Sequence, residues 1–232
     1  MTVSDSGLVG KKEDLLDVYY PYLLDYGSFS AEKATIFVVA ALLAVMVSAE
    51  GQALGAALLG DTRPGARDRF HFNVFLHLSL LGSLSFLVAG FGWAKEMAID
   101  PGRFPRRPRL CLIASRLFGP LANLLLASIA GSINWILTSW GVTDEVFSMV
   151  TVVNVTMAVY GLLPLPPLPG AAPLIALCGG SRFGGRAMAG LKMVGPWVIV
   201  GFFAVSRLAD WHTVDRLFTP VIQAVTGLIL GL

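Results

Sequence analysis

The stretch Val47-Ser48-Ala49-Glu50-Gly51-Gln52-Ala53 lies inside an apolar run from about Lys33 to Leu59. That run is long enough to cross a bilayer as a tilted helix. It carries a carboxylate, Glu50, about 14 Å from the nearer end by helical rise. An ionisable group at that depth is costly unless it is protonated or paired, and such groups mark functional sites by default. The stretch therefore sets the fold class, an all-α integral membrane protein, and names its first candidate residue.

The rest of the 232-residue chain agrees. Hydrophobic residues make up 55% and charged residues 14%, with a mean hydropathy of +0.71, which a soluble domain of this length does not tolerate. The net charge of +2 excludes nucleic acid as an expected partner and leaves the lipid bilayer. Cys111 and Cys178 show no metal or disulfide spacing, so both are expected to pack as small apolar side chains. No apolar segment with a cleavage site follows the polar N-terminus within signal-peptide range, so insertion is expected to be directed by the chain's own spans.

Residues 1–30 read as an interfacial tail, because Tyr19, Tyr20, Tyr22 and Tyr26 interleave with leucines and aspartates around Pro21. Residues 31–232 read as one transmembrane domain of about six helices. The expected spans are Lys33–Leu59, Asn73–Phe91, Leu110–Trp140 with a kink at Gly119-Pro120, Val146–Leu163, Ala187–Ala209 and Leu217–Leu232. With both termini inside, the cytoplasmic segments hold most of the Lys and Arg, although Arg63, Arg67 and Arg69 fall on the other side. Pro164-Leu165-Pro166-Pro167-Leu168-Pro169-Gly170 is too rich in proline to be helical and reads as an ordered extended loop.

Ala49-Glu50-Gly51-Gln52-Ala53 has the frame of His-Glu-x-x-His, in which two histidines on one helical face bind zinc and the Glu activates the metal-bound water. Alanine stands at both histidine positions. Further elements follow in order: Leu59-Gly60-Asp61, Asn73 to His77 with Gly82, Phe91-Gly92-Trp93-Ala94-Lys95 with Pro101, Gly119-Pro120-Leu121-Ala122-Asn123-Leu124, and Leu162 to Gly170. Together they resemble the site-2 protease family, intramembrane zinc metalloproteases, in its compact bacterial form, from about Thr35 to the C-terminus.

The resemblance implies a site-2-protease-like core in the bacterial cytoplasmic (inner) membrane. It also implies that zinc, where the family holds it, would be held at positions 49, 53 and 169. Here those positions are Ala49, Ala53 and Pro169, none of which can coordinate a cation. Val74 and Gly161 depart from the family pattern as well. His77 falls on a family histidine that is not a zinc ligand, and His71 and His212 lie too far apart in depth to rebuild a site.

Glu50 is then the vestige of a catalytic base. Arg116, in the third span, lies at a similar depth, so a Glu50–Arg116 ion pair is expected in place of the metal charge. The segment containing Trp93 and the loop containing Pro167 are expected to flank that cavity, with Asn123 as a further polar group near it. The leading expectation is a catalytically inactive protein without cofactor that binds or scaffolds a transmembrane client or partner. An active zinc metalloprotease with unconventional ligands is the alternative. A small transporter is a third reading, for which the spans offer few polar residues.

Overall fold

The computed structural model describes residues 30–61, 72–97, 99–142, 144–178, 182–209 and 213–230. The tyrosine-rich tail, His71 and His212 lie outside them. The described residues form eight α-helices: α1 (Ala31–Leu58), α2 (Val74–His77), α3 (Leu80–Ala89), α4 (Pro108–Ser139), α5 (Glu145–Gly161), α6 (Ala172–Cys178), α7 (Arg182–Leu208) and α8 (Thr213–Leu230). Among the described residues there is no strand, only an isolated antiparallel bridge between Leu78 and Ala94. Three helices are long and apolar enough to cross a bilayer: α1, α4 and, within α7, Phe183–Ser206.

The centre of the fold is α1 packed on α4 and α5. Its buried side is built from Ala, Gly and Ser, which let backbones approach closely where lipid offers no hydrophobic drive for association. A Cβ placed on Gly51 would sit 2.6 Å from Ala122 Cβ and 2.7 Å from the Phe118 carbonyl oxygen, so α4 lies directly against that face.

On α4 the pattern is the reverse of a soluble helix. Ser115, Asn123, Ala127 and Asn134 are buried, while Leu121, Leu125, Ile129 and Ile136 point outward. That outward stripe fits a hydrocarbon surround rather than water. Between α4 and α5, Ser148 Oγ donates to Asn134 Oδ1 at 3.2 Å and Thr151 Oγ1 donates to the Ala127 carbonyl at 3.4 Å. Asn134 thus links two helices, as its place in an apolar span suggests. Asn154 instead bonds within its own helix, to Val150 O at 2.8 Å.

The expected second span is not one helix. Asn73 caps α2 and Ser79 caps α3, each accepting a backbone N–H of the turn that follows, and Leu78 between them is extended. Helix α3 is therefore only ten residues long. The chain breaks there because Leu78 pairs with Ala94 and Lys95 N donates to His77 O at 2.7 Å. Gly82 and Gly92 make that pairing possible: a Cβ on Gly82 would strike the Trp93 carbonyl oxygen, and one on Gly92 would strike Gly82 O.

The returning segment 91–97 is anchored by Phe91. Its ring stacks on Tyr160 at 4.2 Å and meets Phe203 edge-on at 5.0 Å.

Helix α4 continues through Gly119-Pro120 as one helix, with Pro120 inside it. The proline-rich stretch after α5 is a non-helical loop ending in a short 3-10 turn, Pro169–Ala171, and α7 passes so close that a Cβ on Gly195 would strike Pro166 O. Helices α1, α5, α7 and α8 lie where the other spans were expected, with ends shifted by a few residues, but α5 and the apolar part of α8 are shorter than the three helices long enough to cross. Cys111 and Cys178 are free and only half-buried, and the Cys111 thiol donates to the Arg106 carbonyl at 3.1 Å.

Candidate functional site

Around Glu50 and Gln52, α1 presents two polar faces, because residues two apart on a helix point about 200° apart. One face carries Glu50. Its Oε1 accepts from Phe72 N at 3.1 Å and lies 3.1 Å from His77 Nε2, while Oε2 is buried with no hydrogen-bond partner among the described groups. Both partners come from the segment around α2, Phe72 just before its Asn73 cap and His77 at its last position.

The other face carries Ser48 and Gln52 and lines a small cavity of about 10 Å³, room for one water molecule. Opposite them stand segment 92–96, Arg116 and Pro120 of α4, and Pro167-Leu168-Pro169 of the loop. The buried Arg116 guanidinium donates through NH2 to Glu96 Oε1 at 2.8 Å and to the Met97 carbonyl at 3.0 Å, and through NH1 to Gln52 Oε1 at 3.3 Å. Lys192 of α7 reaches the same Glu96 oxygen at 2.8 Å.

The expected Glu50–Arg116 pair is therefore not formed. The depth estimate held, since Arg116 meets α1 only two residues away, at Gln52. The azimuth did not: Gly51 and Gly55 turn toward α4, which leaves Glu50 on a face that Arg116 does not reach. Trp93 and Pro167 both line this cavity. Asn123 is fully buried on α4, outside that lining, with neither side-chain polar atom hydrogen-bonded to a described group.

Ala49 and Ala53 lie on α1 between the two polar faces. Both are buried, and Ala49 belongs to an apolar cluster with Phe86, Ala94, Val153 and Met157. Pro169 is buried at the cavity wall beside Gly161. Zinc does not fit this donor set: the three positions offer only carbon, and among the described residues no three His, Cys, Asp or Glu side chains are grouped to hold a metal. What the cavity supplies instead is a fixed guanidinium, an amide, a hydroxyl and an accessible carboxylate.

Gln52, Glu96 and Lys192 were not singled out from sequence. Gln52 was legible in principle, because the small residues Gly51 and Gly55 mark the face turned to a neighbouring helix. Glu96 and Lys192 gave no such signal, since an acid in a loop and a lysine near a helix end both read as solvated.

Comparison with curated proteins finds 33% identity over 120 residues with a protein of Bacillus subtilis (strain 168) named "Putative zinc metalloprotease YwhC". The match covers 48% of this chain and 54% of that protein, so the chain spans about half the length of the curated relative. The likeness fits a metalloprotease family. No family model matches the chain, and no solved structure matches it.

Proposed function

We propose that this protein is a catalytically inactive, site-2-protease-like protein of the bacterial cytoplasmic membrane, crossing the bilayer about six times and binding or scaffolding membrane partners or clients. The observation that carries this reading is the chemistry at positions 49, 53 and 169, where two methyl groups and a proline ring are packed and buried. In the neighbouring cavity the Arg116 guanidinium is set against the Glu96 carboxylate, so the one acid that lines it is already paired. Without a metal, Glu50 has no water of lowered pKa to deprotonate. The cavity, its proline wall and its extended segment persist without that chemistry, which supports a role in binding.

An active metalloprotease with unconventional ligands is favoured by one comparison, the name given to the Bacillus relative, and by the contact of Glu50 with a histidine. A cleavage assay separates the two. The full chain in liposomes with added zinc is incubated with a synthetic transmembrane peptide and the products are followed by mass spectrometry. The proposal expects intact peptide in every arm. Cleavage that disappears in Glu50→Gln or with a chelator would establish the protease instead.

A further inference from the structure

Four arginines stand within seven residues where the chain enters α4: Arg103, Arg106, Arg107 and Arg109, all exposed. Asp100 reaches Arg103 at 3.6 Å, and Glu96 is taken up by Arg116 and Lys192. Among the described residues no carboxylate pairs with Arg106, Arg107 or Arg109. Three like charges this close together repel one another, and a bound anion relieves that repulsion.

The turn that carries them is anchored on both sides. Phe104 is buried in an apolar cluster with Ala56 of α1, Leu112 of α4 and Ala176 of α6. Pro105 lies against the end of α1, where a Cβ on Gly60 would come 3.0 Å from its ring. The Arg106 carbonyl accepts from the Cys111 thiol at 3.1 Å, and the Arg107 carbonyl accepts from Cys111 N at 3.0 Å. The backbone is thus ordered before any ligand arrives, which lowers the cost of binding one.

The level of the turn in the membrane follows from α4, one of the helices long and apolar enough to cross. Leu110 is exposed and lies about three turns before Leu121, so it begins the outward stripe of Leu121, Leu125 and Ile129. Arg109 is the residue before it. The arginines therefore stand at the edge of the hydrocarbon, where lipid headgroups are found.

We propose that Arg106, Arg107 and Arg109 form a binding site for the phosphate of an anionic phospholipid, at the face where α1 ends and α4 begins. A guanidinium matches phosphate oxygens with two parallel N–H donors. Each basic residue at an anionic membrane surface favours that lipid by about fivefold. The site is separate from Glu50 and from the Arg116 cavity, and it holds whether the chain cleaves clients or only binds them.

The test titrates the full chain in neutral detergent with phosphatidylglycerol, or with phosphatidylcholine of the same acyl chains, and counts retained lipid by native mass spectrometry. The wild type is expected to bind phosphatidylglycerol about a hundredfold tighter, the product of three such contributions. Arg106→Gln, Arg107→Gln and Arg109→Gln combined should abolish that preference. Lys33→Gln, at the opposite end of α1, should leave it nearly unchanged. Lysine at the three positions should keep part of it, since the charge persists and the paired donors do not.

Equal binding of the two lipids by the wild type would overturn the site, as would a full preference in the triple Gln protein. Should the triple variant fail to fold, Arg109→Gln alone decides: a loss of about fivefold supports the site, and a preference equal to that of Lys33→Gln overturns it. Displacement of phosphatidylglycerol by millimolar sodium phosphate would make free phosphate the ligand and overturn the lipid.

Discussion

The two polar faces of α1 have opposite characters although they lie within one turn of each other. On one, Glu50 is closed in by a histidine and a backbone N–H, with no lysine or arginine among the described residues paired to it. On the other, Arg116, Lys192 and Glu96 form a charged network beside the small cavity. Glu50 is thus part of the packing between α1 and the segment around α2, while the ion pairs gather at Arg116, Glu96 and Lys192 on the other face.

The largest effect is expected from breaking the wall between the two faces. Gly51→Leu would drive a side chain into Ala122 and the Phe118 carbonyl, and overpacking there should cost about 3 kcal/mol or more, seen as loss of monodisperse protein on size exclusion in detergent. Arg116→Met comes next, at about 3 kcal/mol, because it leaves the Glu96 carboxylate with Lys192 alone. Measured by thermal unfolding in detergent, it should couple to Glu96→Gln by about 1 kcal/mol or more.

The same Arg116→Met should be additive with Glu50→Gln to within about 0.5 kcal/mol, since the two groups share no partner. Coupling between them would mean that the faces are not separate. Glu50→Gln and His77→Ala should each cost about 1 kcal/mol and be strongly non-additive, as members of one contact. Lys192→Met should be the mildest, about 0.5 kcal/mol, because its ion pair is partly open to the surroundings.

Much of the fold was legible. The apolar runs gave α1, α4, α5, α7 and α8, and the prolines gave the loop after α5, because lipid leaves the backbone few alternatives to helix. The break at Leu78 was hidden: Asn73 and Ser79 are ordinary caps, but inside an apolar run they read as tolerated polar residues. What makes them caps is the distant Gly92 to Lys95 segment returning against Gly82.

At the site, two of the motif segments legible in the sequence, those holding Trp93 and Pro167, border the cavity. It did not reveal that Glu50 turns away from Arg116, since depth along a helix follows from counting and azimuth follows from the neighbour it packs on. Glu96 escaped notice because its importance comes from two helices, α4 and α7, meeting at one oxygen.

The most direct test of the central claim is the zinc content of the detergent-purified protein by mass spectrometry, measured beside an Ala49→His, Ala53→His, Pro169→Asp variant. The account predicts that the wild type carries far less than stoichiometric zinc and that the variant gains it. A wild-type protein that holds stoichiometric zinc would contradict the account and make the site a metal centre built from other ligands.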